Sequence, residues 1–276
     1  MSPKTILSLF DHSGAWSAPF LEAGHNVIHI DLKHNATLHD VAKFDVTYFF
    51  ETLGIEWVDA IIAAPPCTDF TNAGAQYWGA KDADGRTAAS AHLVEQVLRC
   101  VEFWKPDWWV MENPVGRLPK IIEGLGRPVM HFIPSDFGGW VALTATETAR
   151  LAELNEAAPD SFTKADIALI KKANAYTKKT ALWGNFTLPT LKPIAPIKVC
   201  AAGSWLMKLG GKGAATKEAR SVTPDGFAEA FYAANEWTPA YEAAVAIRRE
   251  FAEENGGDYE EYEIARLAET AMPKAA

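Results

Sequence analysis

The chain has 276 residues, of which 49% are hydrophobic and 22% charged, a balance typical of a globular protein with a substantial core. No apolar run reaches the ~18 residues that a membrane span needs. The 3 cysteines are too few and too widely spaced to indicate a disulfide framework or a zinc site. With no secretory signal pattern after Met1, we expect a cytoplasmic protein that has neither a membrane span nor a metal.

The net charge of −9 is unevenly distributed along the chain. Residues 164–220 carry 11 basic and 2 acidic side chains, a net charge of +9, whereas residues 1–163 and 221–276 carry −10 and −8. A locally positive segment can contact a nucleic-acid backbone whatever the total charge. A lysine-rich solvated surface is the alternative, and charge alone leaves both interpretations open.

Short apolar runs rich in β-branched residues alternate with helical patterns in the first half of the chain. In chain order, the sequence predicts a strand "TILSLF", a turn "DHSG", a short helix ending at Gly24, strands "NVIHIDL" and "WVDAIIAA", a helix "SAHLVEQVLRCVEFW" and a strand "DWWVMEN". This alternation is typical of a parallel sheet with helices on both faces. We therefore predict a doubly wound α/β fold.

Four segments that can carry chemistry follow predicted strands: "FDHSG", Asp31, "PPC" and "ENP". The carboxyl ends of parallel strands share one edge of the sheet, and ligands bind there. Gly14 allows a tight turn close to a ligand, and Asp31, about 20 residues after this loop begins, can accept hydrogen bonds from ribose hydroxyls. An ordinary turn glycine and a surface or helix-capping aspartate are the alternatives. Together the two segments predict an adenosine-type cofactor.

The segment "APPCTDF" places Cys67 on a turn that Pro65 and Pro66 make stiff, unlike a cysteine packed inside a helix. Glu112 follows the apolar run "WWVM" and is predicted at the same edge of the sheet. A thiolate beside a carboxylic acid suits covalent catalysis, because the acid can protonate the ring that the sulfur attacks. A structural cysteine is the alternative.

In this order, the segments resemble the motifs of the DNA cytosine C5-methyltransferases, in particular the short enzymes encoded by bacteriophages. The similar segments are "LSLFDHSGAWSAPFLEAG", "IDL" and "FDV" for the cofactor motifs, "APPCTDFTNAG" for the catalytic motif, "DGRT" for the motif before the next helix, "MENPVGRL" for the glutamate-asparagine motif, and "SDFGG", "YTKKTALWGNF" and "RSVTP" for later motifs. The resemblance covers about residues 5–230.

The resemblance implies a Rossmann-like methyltransferase fold that binds S-adenosylmethionine. It implies that Cys67 adds to C6 of a flipped-out cytosine while Glu112, positioned by Asn113, holds and protonates N3. C5 then takes the methyl group, and loss of the C5 proton releases Cys67. Lys179 falls where the family has an arginine that contacts base or phosphate. The cofactor residues implied are Phe10, Asp11, His12, Gly14, Trp16, Asp31, Leu32, Asp45, Val46 and Pro65.

The sequence departs from the family pattern at several positions. His12 and Asp69 stand where glycine is usual, Pro114 where valine is usual, and Lys178-Lys179 where a glutamine-arginine-arginine pattern is expected. A Gly-Asn motif near the C-terminus is not recognisable, and "FAEAFYAANEW" takes its place.

We expect three parts along the chain: a catalytic and cofactor-binding domain at 1–140, insertions at 141–219 that include the eighth-motif-like segment 176–186, and a return to the catalytic domain at 220–276 with an acidic helical tail. The insertions would form a small basic recognition region that reads a short sequence in double-stranded DNA as a monomer. The expected DNA contacts are Arg86, Lys178, Lys179, Trp205, Lys212 and Arg220, with local packing as the alternative for Trp205.

Two other classes of function remain open at this point. A cytosine C5-methyltransferase acting on RNA or on a free cytosine nucleotide needs no large reading domain. A catalytically silent nucleic-acid binder would keep the fold but would have no chemical need for Cys67 or Glu112. A glycine-loop oxidoreductase leaves "PPC" and "ENP" unexplained.

Overall fold

The computed structural model describes residues 2–31, 55, 57–201, 203–209, 213–239 and 243. The chain divides into two compact units, Ser2–Asn235 and a second that begins at Glu236. The sheet, its covering helices and the site discussed below all lie in the first unit. Several predictions fall outside the described residues, namely those for Leu32, Asp45, Val46, Lys212 and most of the acidic tail.

Six strands form one sheet in the order β2-β1-β3-β4-β6-β5. They are β1 (Thr5–Leu9), β2 (Asn26–Ile30), β3 (Ala60–Ala63), β4 (Trp108–Pro114), β5 (Met130–Phe132) and β6 (Thr180–Asn185). The first four are parallel and lie where the sequence predicts them, whereas β6 runs antiparallel to both β4 and β5. The strand order reverses at β1, between β2 and β3, which is the switch point where such sheets bind ligands.

Eight helices and three 3₁₀ segments connect the strands among the described residues. The helices are α1 (Ala18–Glu22), α2 (Trp78–Ala83), α3 (Arg86–Trp104), α4 (Leu118–Ile121), α5 (Ala145–Asn155), α6 (Lys164–Lys172), α7 (Ala214–Ser221) and α8 (Asp225–Asn235), and the 3₁₀ segments are Asn72–Tyr77, Pro134–Trp140 and Trp205–Met207. Capping boxes begin α5 at Thr144 and α6 at Thr163, where the threonine side chain accepts from the backbone and an acidic side chain three residues on reaches back.

Helices cover both faces of the sheet. On one face, Leu93, Val94 and Val97 of α3 belong to the same buried cluster as Leu7 and Leu9 of β1. On the other face the contacts are largely aromatic. Ring centroids lie 5.5 Å apart for Phe20–Trp108 and Trp108–Phe231, which join α1 and α8 to β4, and 5.0 Å apart for Phe20–Tyr232, which joins α1 to α8. Each fully buried ring contributes roughly 1.5–3 kcal/mol. The predicted doubly wound, Rossmann-like fold is confirmed.

The predicted insertion segment 141–219 belongs to the same compact unit as the sheet. It has a small core of its own, in which Leu154 of α5 and Ile170 of α6 pack with Tyr176, Val199 and Trp205. The boundaries predicted at 140 and 219 remain predictions. Across the described residues, no helix has the length and apolarity that a membrane crossing requires, and no group of His, Cys, Asp or Glu is arranged to hold a metal ion.

Candidate active site

The nucleophile turn, residues 64–71, follows the fully buried strand β3. The Ala64 N–H donates to the Leu9 carbonyl at 2.9 Å, which carries the sheet pairing one residue past the end of β3. After the two prolines, the N–H groups of Phe70 and Thr71 both donate to the Cys67 carbonyl at 3.0 Å. Cys67 therefore begins a single tight turn and has a partly buried side chain.

The charge environment of Cys67 is set by three other groups as well as by burial. Burial raises the pKa of the Cys67 thiol, the Glu112 carboxylate raises it further, the Lys178 ammonium lowers it, and Asp69 adds a small upward contribution. The raised pKa means that the sulfur is held as a thiol near neutral pH. Since only a thiolate attacks, proton removal has to be part of any reaction at this site.

Glu112 and Asn113 lie near the carboxyl end of β4, where β6 pairs with it, Glu112 opposite Leu182 and Asn113 opposite Ala181. Asn113 is fully buried, and its Nδ2 donates to the Pro65 carbonyl at 3.0 Å. This bond ties the end of β4 to the nucleophile turn. Asn113 Oδ1 is buried with no hydrogen-bond partner among the described residues.

Lys178 reaches the carboxylate of Glu112 from the segment that precedes β6. Its Nζ lies 3.8 Å from Glu112 Oε1, and the two side chains are only 19% and 17% exposed. Lys179 is exposed, and its carbonyl accepts a hydrogen bond from Val115 at 3.5 Å. The backbone entering β6 thus directs Lys178, and not Lys179, towards Glu112. The predicted contact of Lys179 with base or phosphate remains a prediction.

The loop after β1 is organised around the buried carboxylate of Asp11. Asp11 Oδ2 accepts from Ser17 Oγ at 3.1 Å and from Ser8 Oγ at 3.3 Å, and Ser17 Oγ also lies 2.8 Å from His29 Nε2. Gly14 has φ +65, and a Cβ there would meet His29 Nε2 at 3.3 Å. Glycine is thus required by both conformation and space.

Phe10 also has a positive φ, of 61, and its N–H donates to the Ile30 carbonyl at 2.8 Å. This bond joins the β1 loop to the end of β2, where Asp31 follows, half-buried. The predicted cofactor residues Phe10, Asp11, Gly14 and Asp31 thus lie at the same sheet edge as Cys67. A glycine loop and a carboxylate at the ends of adjacent strands fit a nucleoside ligand.

Two aromatic residues predicted at ligand sites pack in the protein interior instead. Trp16 is fully buried, with its ring 5.3 Å from that of Phe227 and 5.6 Å from that of Phe231 in α8. Trp205 is 4% exposed, and its ring lies 5.5 Å from that of Tyr176. In these positions both rings belong to protein cores, which for Trp205 agrees with the packing alternative. The cofactor role of Trp16 and the DNA role of Trp205 remain predictions. Both residues are large and apolar enough to build cores.

Three further predicted contacts have protein partners. His12 Nε2 lies 3.2 Å from Glu218 Oε1, and Arg86 Nη2 lies 2.6 Å from Asp84 Oδ2 on the surface. Arg220 Nη2 donates to the carbonyls of Leu206 and Leu209 at 3.2 and 2.6 Å, which fixes the chain before α7. The cofactor role of His12 and the DNA roles of Arg86 and Arg220 remain predictions.

Sequence reasoning missed two sets of residues at this site. One is the ion pair that Lys178 makes with Glu112, which becomes visible only from the antiparallel pairing of β4 with β6. The other is a group of charged residues, namely Asp69 within the nucleophile turn and Lys81 and Arg117, which contact it. The one signal for this group was Asp69, which departs from the family pattern.

A cysteine on a proline turn, a carboxylate and an ammonium group converge at the carboxyl edge of a doubly wound sheet, next to a glycine loop suited to a nucleoside. This combination of groups suits nucleophilic catalysis beside a nucleoside ligand.

Comparisons with known proteins show which family the first part of the chain is similar to. Residues 5–120 match the family model described as C-5 cytosine-specific DNA methylase. Type II methyltransferase M1.HphI from Haemophilus parahaemolyticus is 30% identical over an alignment of 131 residues that covers 41% of this chain and 33% of that protein. Residues 5–120, which contain β1 to β4, the nucleophile turn and Glu112, match the model of this family, and the predicted resemblance is confirmed over these residues.

Solved structures that are similar include a candidate DNA modification methyltransferase encoded within a prophage of E. coli, with a TM-score of 0.38 and 14% identity, covering 70% of this chain and 53% of that one. Another is the Entamoeba histolytica methyltransferase EhMeth, with a TM-score of 0.36 and 11% identity, covering 77% of this chain and 61% of that one. The chain spans about a third of the length of the curated relative that it matches.

Proposed function

We propose that the protein transfers a methyl group from S-adenosylmethionine to C5 of cytosine in DNA, through a covalent bond between Cys67 Sγ and C6 of the base. The observation that carries this proposal is the grouping of Cys67, Glu112 and Lys178 at the sheet edge, where Cys67 and Glu112 come from the segment that matches the cytosine-specific DNA methylase model. A thiol and a carboxyl group facing one site are what nucleophilic addition to a ring with a basic nitrogen requires.

The reaction begins when the Cys67 thiol gives its proton to the Glu112 carboxylate and its sulfur forms a bond to C6, while Glu112 holds N3 and passes that proton on to it. The electron pair of the C5–C6 double bond becomes nucleophilic at C5, which takes the methyl group. Loss of the C5 proton to a base then re-forms the double bond, the S–C6 bond breaks, and the sulfur leaves as a thiolate while N3 returns its proton. Cys67 is regenerated and one C5–H bond has become a C5–CH₃ bond.

Lys178 contributes the positive charge of this site. It lowers the pKa of the Cys67 thiol against the larger effects of burial and Glu112, so it favours the thiolate that attacks. Because its side chain is only 19% exposed, its charge is less screened than that of a surface lysine. The ion pair also holds the Glu112 carboxylate near Cys67.

The loop after β1 would hold the cofactor. Gly14 and Phe10 allow the backbone to approach the ligand closely, the buried Asp11 carboxylate fixes the loop through Ser8 and Ser17, and Asp31 accepts from the ribose. When bound, S-adenosylmethionine supplies an electrophilic methyl group.

The DNA substrate would be double-stranded, with the target cytosine turned out of the stack, because a stacked ring does not offer the face of C6 to a thiol. The phosphate contacts would come from the segment 164–220, whose net charge is +9. Such a small reading region fits a short recognition sequence. The protein would act as a monomer in a bacterial or phage-infected cell, in the manner of a restriction-modification methylase.

The proposal is tested by incubating the protein with labelled S-adenosylmethionine and, in parallel, duplex DNA, RNA or dCMP, followed by digestion to nucleosides. We expect label in 5-methyldeoxycytidine from duplex DNA. Label found only in the RNA or dCMP reaction would make the protein a C5-methyltransferase of another substrate, and no transfer to any of the three would contradict the activity itself.

A further inference from the structure

The carboxylate of Asp69, two residues after the nucleophile, is buried in an ion pair. Asp69 is 8% exposed and Lys81 of α2 is 5% exposed, and Lys81 Nζ lies 3.1 Å from Asp69 Oδ1. Ser90 Oγ of α3 donates to Asp69 Oδ2 at 2.6 Å, and Lys81 Nζ also donates to the Thr68 carbonyl at 2.5 Å. One lysine therefore holds both the backbone and the side chain of the two residues that follow Cys67.

Arg117, just after β4, also contacts this turn. Its Nε donates to the Asp69 carbonyl at 3.1 Å and its backbone N–H donates to the Phe70 carbonyl at 2.9 Å. Its Nη1 and Nη2 form a two-pronged bond to Asp82 at 2.8 and 2.7 Å, which lowers the pKa of Asp82 to about 2. Arg117 is 8% exposed and lies 4.7 Å from the centre of the Trp78 ring.

Buried charge pairs are costly to form, because each ion loses its hydration, and they contribute little net stability compared with apolar side chains of the same size. What such a pair provides is a single geometry, since a displaced partner leaves a charge unpaired in the interior. Here the charged groups contact the carbonyls of residues 68, 69 and 70, immediately after the nucleophile. Their effect is concentrated on the backbone that carries Cys67.

We propose that Asp69 and Lys81, with Ser90, are positioning residues for the nucleophile: their buried ion pair fixes the turn so that the Cys67 sulfur is placed for attack before DNA binds. None of the three touches the reacting atoms in this mechanism. The inference rests on the proposed function for its catalytic meaning, and on the geometry of the turn alone for its effect on Cys67.

Two variants test this inference. Asp69→Asn combined with Lys81→Met removes both charges at once, so that neither is left unpaired in the interior. Ser90→Ala removes only the hydrogen bond to Asp69 and keeps the ion pair, so it is the milder change. Asp84→Asn is the matched control, because it neutralises a carboxylate of the same segment whose ion pair with Arg86 lies on the surface.

Two quantities are measured on each variant after its folding has been checked by circular dichroism and thermal unfolding. One is kcat and KM for methyl transfer to duplex DNA. The other is the limiting rate of Cys67 alkylation by iodoacetamide at high pH, which reports the access and mobility of the sulfur rather than the thiolate fraction. Mass spectrometry of the Cys67 peptide separates this signal from the other cysteines.

We expect the double variant to lose about 10- to 100-fold in kcat with KM changed no more than about 2-fold, because misplacement of a reacting group acts on the chemical step. Its limiting alkylation rate should rise, since the turn is released. Ser90→Ala should also lower kcat and raise the limiting alkylation rate, but by less than the double variant does. Asp84→Asn should change neither kcat nor the alkylation rate.

Wild-type kcat and alkylation in either folded variant would overturn the inference, as would a loss of activity that only follows the loss of folded protein. If the double variant does not fold, the test rests on Ser90→Ala, and wild-type kcat and alkylation in that variant would overturn the inference. If the wild type methylates no substrate, the proposed function has failed, and an unchanged limiting alkylation rate in the folded variants then overturns the positioning role independently.

Discussion

Lys178 Nζ lies 3.8 Å from Glu112 Oε1. Glu112 is in β4 and Lys178 comes just before β6, the strand that pairs antiparallel with β4. The pair places a positive and a negative charge beside Cys67, and the two act on its thiol in opposite directions. A substitution of either Glu112 or Lys178 should therefore change the pKa of the Cys67 thiol, and this change can be measured without DNA or cofactor.

Removing either partner should therefore move the pH at which Cys67 becomes reactive. The Glu112 carboxylate raises the pKa of the thiol, so Glu112→Gln should move the midpoint of iodoacetamide alkylation to lower pH. The Lys178 ammonium lowers the pKa, so Lys178→Met should move the midpoint to higher pH. In the wild type the midpoint should lie above that of an ordinary thiol, because burial is the largest effect.

The rate is followed by mass spectrometry of the Cys67 peptide between neutral and alkaline pH. Asp84→Asn provides the control, since its carboxylate lies on the surface and does not contribute to the pKa of Cys67. Shifts of the two variants in the same direction would contradict the charge arrangement described for this site.

The exposed Lys179 should act on DNA binding rather than on chemistry. We expect Lys179→Ala to weaken duplex affinity for all sequences alike and to reduce the slope of log affinity against log salt by roughly 0.9 if one phosphate contact is lost. Lys178→Met should reduce this slope less, because Lys178 pairs with Glu112. Arg248→Ala, in the acidic segment 221–276, is the control. An unchanged slope for Lys179→Ala beside a reduced one for Arg248→Ala would move the binding surface to that segment.

The close approach of Gly116 to the nucleophile turn is a test of packing. A Cβ at Gly116 would collide with the Phe70 carbonyl, which is backbone and cannot move aside cheaply. Gly116→Ala should therefore lower the free energy of unfolding by about 1–3 kcal/mol. Gly79→Ala is the matched control: it lies in α2 with no described neighbouring atom within 4 Å of the added Cβ and should raise the free energy of unfolding by roughly 0.5–1 kcal/mol. Denaturant unfolding that ranks Gly116→Ala as the more stable variant would show that the turn is not packed as described.

The strands and the sheet edge could be predicted from the sequence because they depend on local patterns. The runs "TILSLF" and "DWWVMEN" contain β1 and most of β4, and the helical pattern of residues 90–104 lies within α3, Arg86–Trp104. The rule that parallel strands share a carboxyl edge then brought Cys67 and Glu112 together. The capping boxes at Thr144 and Thr163, which begin α5 and α6, are also local features.

What sequence could not resolve depends on the direction of single side chains. Lys178 and Lys179 are adjacent and chemically identical, and only the pairing of β6 with β4 decides which of them faces Glu112. Trp16 follows the glycine loop in sequence, yet its ring turns to the face of the sheet that α8 covers. The partnership of Asp69 with Lys81 joins residues on two different elements, and no short-range pattern marks it.

The most direct test of the central claim is the formation of a covalent adduct with duplex DNA containing 5-fluorocytosine, in the presence of S-adenosylmethionine. Fluorine at C5 blocks the final elimination, so the S–C6 bond should persist and the wild-type protein should migrate as a protein–DNA complex under denaturing conditions. Cys67→Ser should form no adduct, because a hydroxyl is a far poorer nucleophile than a thiolate, while its cofactor binding stays close to that of the wild type. An undiminished adduct with Cys67→Ser, or the absence of any adduct with a wild-type protein that methylates normal DNA, would contradict the account.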